Sequence, residues 1–308
     1  MDIAWPSPLP LPPVLLRQID TAARRLMQPK NGAIVDFAQP RGEQALVASD
    51  SVSWRIFKNP VSLFIGGVAA VILELAEPGV RTGVWEYSSF RSDPVQRLRR
   101  TGMAAMVTVY GAHSVAEVMI AGVVRMHEKV RGETPAGQTY QASDVRLLSW
   151  VQATAVYGFA EAYHRYVRPL TCSEMDRLWD EGAAAARLYG ALDAPRSHAE
   201  LDALFESMRG RLEPSPIVFE FLEIVRNAPA FPTPLRPLQR LLIRAAVDTT
   251  PDWLRDTLGL TAQYGLRSWE EPLVRQIGSL SDKLMLRSSP AVQSCLRLGL
   301  PADYLYRR

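Results

Sequence analysis

Apolar positions recur at helical spacing through most of the chain, with little of the strict alternation that marks half-buried strands. In VLLRQIDTAARRLM the residues Leu15, Ile19, Ala22 and Leu26 share one face, which predicts a first amphipathic helix. The run VSLFIGGVAAVILEL, from Val61 to Leu75, is the most hydrophobic. Glu74 and Glu77 close it short of the ~18–20 residues that a bilayer span needs, so it reads as a buried core helix. Its Gly66-Gly67 pair suits either the close approach of another helix or flat ligand, or plain packing. Two helices are expected between Asp93 and Gly132. The first has Asp93 as N-cap and Pro94 at the first helical position and ends near Gly111; the second opens on an S-x-x-E capping box, Ser114 and Glu117, and stops at Gly132.

Further helices follow in the same rhythm: from Ser143 or Asp144 to Val167, from a Thr171/Glu174 capping box to Tyr189 before Gly190, then Ser197 to Met208, Val218 to Arg226, Pro237 to Val247, Pro251 to Leu258 and Glu271 to Leu286. Gly32 to Asn59 has weak periodicity, with Ala33–Phe37 and Ala45–Val47 open as short strands, and GVRTGVWEYSSFRSD after Pro78 reads as a connector. The expectation is an all-α protein with one large globular multi-helix domain over residues 15–300. A proline-bearing extended arm, 1–14, precedes it and a short polar tail, 301–308, follows.

Composition narrows the function classes. With 308 residues, 47% of them hydrophobic, the chain can bury a sizeable core. A net charge of +3 from 35 basic and 32 acidic residues, with no block of like charge, argues against a nucleic-acid partner. Cys172 and Cys295 are far apart and suit reduced thiols rather than a disulfide framework. The N-terminus lacks the pattern of a secretory signal, no transmembrane segment is expected, and a cytoplasmic location is the default; oligomeric state is not legible. H-E-x-x-H, GxSxG and GxGxxG are all missing, which removes the usual support for a zincin, an α/β-hydrolase or a Rossmann enzyme.

Candidate chemistry gathers in the Asp93–Gly132 stretch. On its second helix His127 shares a face with Ala116, Ile120, Val123, Val124 and Val130, so its imidazole is turned towards an apolar interior, either as a hydrogen-bonded core histidine or as a ligand. His113 and His198 stand at helix starts and His164 lies between Tyr163 and Arg165. Arg97 and Thr101 stack one turn apart, and the bland reading is an exposed arginine with a threonine bonded back to its own turn. Glu77, Glu86 and Glu161 would serve as bases only if desolvated; a two-histidine, one-carboxylate iron site from His127, His164 and a glutamate is conceivable, with nothing enforcing it.

The succession LAEPGVRTGVWEYSSF, DPVQRLRRT, VYG and MHEKVRG, continued by WVQATAVYGFAEAYHRYVRPLTCSE and more weakly by PDWLRDTLGL, resembles the family of the fungal MpaB enzyme and the latex-clearing rubber oxygenases. That resemblance implies an all-helical fold, a b-type haem and dioxygen activation for oxidation or cleavage of an apolar or aromatic organic substrate. By the same resemblance His127 matches the axial histidine, and Arg97 and Thr101 match an arginine and threonine beside the haem. Arg100 stands where rubber oxygenases have lysine, and Trp150 and Thr154 are candidates for a wall of the cofactor pocket. The family often has histidine where this chain has Glu77 and Gln152, so roles attached to those histidines do not carry over. The competing reading is a non-catalytic haem carrier or sensor, or a helical interaction protein without the cofactor.

Overall fold

Asn59 starts the most hydrophobic helix by accepting hydrogen bonds from the Val61 and Ser62 amides on its own side-chain oxygen, with Pro60 at the first helical position. The resulting helix, Pro60–Ala76, is α2; α1 is Val52–Phe57 before it. The computed structural model describes residues 35–307 together with Leu9, Pro12, Val14 and 17–21, so most of the arm lies outside the described residues, and of the helix expected from Leu15 to Leu26 only 17–21 are described, as helix. Within residues 35–307, fourteen α-helices and one two-stranded hairpin give the all-α fold that the periodicity predicts.

The centre of the core is α2 packed along α6, Val145–Tyr166, with α11, Arg236–Thr249, against the pair. Asp144 caps α6, as the sequence indicates. A Cβ built on Gly66 would lie 2.6 Å from the Gly158 carbonyl oxygen and 2.7 Å from Phe159 Cα, which settles what the Gly66-Gly67 pair does: Gly66 lets the two backbones touch. No single helix among the described residues is long and apolar enough to cross a membrane. α2 passes only together with α3, Pro78–Tyr87, at a bend of 112°, and α2 is largely buried against α6 and α11.

Several local expectations are overturned. The stretch read as a connector after Pro78 is α3, because the buried Glu77 carboxylate accepts from the Val80 amide at 2.7 Å and pairs with Arg146 at 3.2 Å. The two helices α4, Pro94–Tyr110, and α5, His113–His127, exist where expected, and Asp93 caps α4. The Ser114/Glu117 box does not form. The Ser114 amide and hydroxyl instead donate to Glu43 at 2.6 and 3.0 Å, and Glu117 pairs with His113. Nor does α5 run to Gly132. It ends at His127, and Arg131–Glu133 pairs with Thr139–Gln141 as an antiparallel hairpin, β1 and β2, around Gly137 at φ +78°.

Residues 35–51 form no strand. They are tied down by Arg297, which donates to the Phe37 and Glu43 carbonyls, and by Trp54 Nε1, which donates to Val47. The Thr171/Glu174 box forms as expected, but the helix it opens breaks at Gly182 into α7, Cys172–Glu181, and α8, Ala183–Tyr189. α9, His198–Met208, α10, Pro216–Asn227, and α12, Asp252–Leu258, fall close to their predicted spans. The last predicted helix is shorter, α13 over Glu270–Ser281, and a further one, α14 over Pro290–Arg297, follows. The segment expected as a polar tail turns back, burying Leu305 and Tyr306 beside Trp54 and Tyr110.

Candidate functional site

His127 is the last residue of α5, which packs chiefly on α4 and α8 and not along the α2–α6 pair. Its imidazole is half-buried, and Nδ1 is buried with no hydrogen-bond partner. Burial, with a smaller contribution from Arg97, lowers its pKa below the ordinary histidine value, so the ring is neutral at physiological pH. The other histidines are accounted for. His113 pairs with Glu117, His198 faces Asp202, and His164 Nδ1 accepts the Leu170 amide at 2.9 Å.

Arg97 lies in the second turn of α4. Its guanidinium makes no hydrogen bond and no ion pair within 4.0 Å among the described residues, and burial pulls its pKa below the arginine value, offset by Glu74. Glu74, on α2, is the residue that sequence reasoning missed. Desolvation raises its pKa to about 7, with Arg97 pulling the other way. Its carboxylate also has no hydrogen bond among the described residues. The signal was in the letters: a lone glutamate between Leu73 and Leu75 inside an apolar run, taken as the end of the run when α2 continues through it.

Glu74, Arg97 and His127 therefore come together electrostatically from three helices, each strongly desolvated and each keeping some accessible surface. Val84, Trp85, Leu98 and Val130, on α3, on α4 and just after α5, are partly buried and pack against the main core. Two open surface depressions lie elsewhere, between Asp50, Asp176 and Arg196 and along the β-hairpin, and contain none of the three. Nowhere among the described residues do three His, Cys, Asp or Glu side chains converge, so His127, His164 and a glutamate are not assembled as a non-haem iron site.

The remaining candidates are placed differently. Thr101 is exposed and donates to the Arg97 carbonyl at 3.0 Å, the back-bond to its own turn. Arg100 is exposed and donates to Ser89 Oγ at 2.6 Å. Trp150 and Thr154 are 0% exposed in the core; Trp150 packs on Phe205 with its indole N–H unpartnered, and Thr154 bonds to the Val151 carbonyl. Glu86 is exposed, and Glu77 is committed to capping α3.

A neutral imidazole with no hydrogen-bond partner and a cation without a close counter-ion are the side-chain types that the axial ligand and propionate anchor of a haem require. The residues present fit that group. The family described as "ER-bound oxygenase mpaB/B'/Rubber oxygenase, catalytic domain" matches residues 54–279. Among curated relatives, "Uncharacterized protein Rv2237" of Mycobacterium tuberculosis and "Uncharacterized protein Mb2261" of Mycobacterium bovis are each 28% identical over 177 residues, 54% of this chain and 68% of theirs. No solved structure matches.

Proposed function

We propose, since this chain belongs to the mpaB/B′/rubber oxygenase catalytic-domain family, that it is a haem b-dependent oxygenase with His127 as the iron ligand and an apolar or aromatic small molecule as substrate. The coarser part follows from membership: the fold is that of an oxygenase catalytic domain, which implies dioxygen and a small-molecule substrate. The cofactor rests on His127, the one histidine among the described residues that has neither a hydrogen bond nor a carboxylate partner.

Bound there, a haem would supply the iron at which dioxygen is activated. The protein's own contribution is binding and electrostatics. His127 offers a neutral ring, since protonation is disfavoured by burial and by Arg97. Arg97 offers an uncommitted fork of donors to a carboxylate such as a haem propionate. Thr101 stands one turn from Arg97, and to donate to a ligand its hydroxyl must release the Arg97 carbonyl.

Titration of the purified protein with hemin tests the assignment. A Soret band that His127→Ala removes and His164→Ala leaves intact is the expected result, and a protein that stays colourless in hemin overturns it. Oxygen consumption with apolar and aromatic candidates then separates an oxygenase from a carrier.

A further inference from the structure

α13 is clamped in a fixed rotation about its own axis. Its inner residues Glu270, Val274 and Gly278 are buried, and a Cβ built on Gly278 would collide with the Tyr166 carbonyl oxygen at the end of α6. The Gly278 carbonyl accepts from Asn59 Nδ2 at 3.0 Å, and the Asp282 carbonyl just past the helix accepts from Lys58 Nζ at 2.6 Å. This clamp leaves Trp269, Leu273 and Leu280 on one solvent-facing side, at 62%, 40% and 45% exposure, with the half-buried Ile277 between that row and the core. Single exposed apolar side chains are ordinary on a protein surface. A row of them on a helix face that cannot turn inward marks an interaction surface.

The charge around the row has one sign. Between Arg267 and Arg287 there are three carboxylates, and each is engaged by the protein itself: Glu270 by Arg244 at 3.1 Å, Asp282 by Lys58 at 2.8 Å, and Glu271 by Arg165 and Arg275 at 3.5 and 3.0 Å. Asp20, which the N-terminal arm brings to this end of the helix, accepts from the Ser288 amide and hydroxyl, both at 3.0 Å. Arg267, Lys283 and Arg287, before and after α13, form no ion pair within 4.0 Å among the described residues, and both arginines are exposed. The surface is therefore an apolar row with cations at its ends.

We infer that this face of α13 docks on the headgroup layer of an anionic lipid bilayer. Trp269 suits that depth, with an apolar ring and an N–H that remains in the wet layer. Leu273 and Leu280 reach the acyl boundary beside it, while Arg267, Lys283 and Arg287 keep their charged ends among lipid phosphates and carboxylates. An acidic protein surface would match the cations but would also need hollows shaped for three apolar side chains, whereas a bilayer takes them as they stand. Attachment is peripheral and reversible, since the row is short and no single helix among the described residues is long and apolar enough to cross a membrane. This inference goes beyond the haem reading and does not rest on it.

Co-sedimentation of the full chain with vesicles tests it, using phosphatidylcholine alone and an equal mixture of phosphatidylcholine and phosphatidylserine, each at low and at physiological salt. The wild type should bind the mixed vesicles, with binding at least about fivefold weaker without phosphatidylserine and falling as salt rises. Trp269→Ala should weaken partition by about tenfold or more, and Arg287→Ala by about fivefold. Leu273→Ser repeats the apolar test at a second exposed position, and an unfolding midpoint close to wild type verifies the fold of each variant. If Trp269→Ala and Leu273→Ser bind as tightly as wild type, charge alone holds the protein to lipid and the inference is overturned. Absence of binding to both kinds of vesicle overturns it too. A dimer in vesicle-free solution that Trp269→Ala converts to monomer also overturns it, by assigning the face to a second copy of the chain.

Discussion

The α2–α6 seam and the α4–α5 pair are built to opposite specifications. Along the seam the backbones touch at Gly66 and Gly158, and Trp150, Ile65, Ile72 and Leu73 are fully covered. In α4 only Val107, Val109 and Tyr110 are buried, and in α5 only Ala116 and Ile120. The outer face of α5 carries Val118 at 73% and Met126 at 60% exposure. Close packing in the seam secures the fold, while the looser pair retains side chains with unmet bonding capacity: Arg97, and His127 with its bare Nδ1. Chemistry is placed where packing is incomplete, and Glu74, on the seam helix α2, is acted on electrostatically by Arg97 of that looser pair.

The sharpest way to break the comparison is to load the seam. Gly66→Val puts new carbon atoms against the Gly158 carbonyl and Phe159 Cα, which are backbone and cannot swing aside. The expected loss is ~3 kcal/mol or more, measured by urea or thermal unfolding; a midpoint unchanged from wild type would show that the helices do not meet as described. In the looser pair the expectation reverses. His127→Ala should leave the unfolding midpoint of the cofactor-free protein close to wild type, because the imidazole makes no hydrogen bond to lose. Hemin affinity should nevertheless fall by more than the ~10–100-fold typical of losing an outer-shell partner. A large stability loss in His127→Ala would instead mark a structural histidine.

Between these extremes lies Glu74. Its midpoint in the folded protein, about 7, is raised above the ordinary 4.5, so the fold favours the protonated form. That stability is fully present below about pH 4.5 and is lost as pH rises through about 7. Glu74→Gln should therefore be more stable than wild type at pH 8, by ~1–3 kcal/mol after discounting for its partial exposure, and no more stable at pH 4.5. Urea unfolding at the two pH values measures the difference, and equal gains at both would mean that the carboxylate is solvated.

What was legible in the sequence was local. Asp93-Pro94, Asp144 and the Thr171/Glu174 box each satisfy amides within their own first turn, so three or four letters suffice. The Ser114/Glu117 box fits the same pattern but loses its serine to Glu43, 71 residues away, a competition that no local window reveals. α3 was hidden because its cap is a glutamate borrowed from the end of α2, and the hairpin because Gly132 also suits a helix stop. In the site, His127 was legible as an imidazole on an apolar face. Glu74 was legible only as a lone glutamate inside an apolar run; its coupling to Arg97 was not, since that depends on how α2 and α4 are arranged and not on its neighbours in the chain.

Glu77 gives the smallest expected effect and the finest test, because it lies one turn from Glu74 with the opposite environment. It is buried to 3% exposure, accepts the Val80 amide at 2.7 Å and meets Arg146 at 3.2 Å. Its charge is used in full by protein partners. Glu77→Gln keeps the shape and an acceptor for the Val80 amide but loses the charge that strengthens both contacts, and Arg146 is exposed enough to be rehydrated. A loss of ~1 kcal/mol follows, expected at pH 8, where Glu74→Gln should gain. Two glutamates on adjoining turns would then respond to the same amide substitution with opposite signs. The same sign in both variants would mean that the Glu74 carboxylate is paired by a protein group in solution and is not left to desolvation.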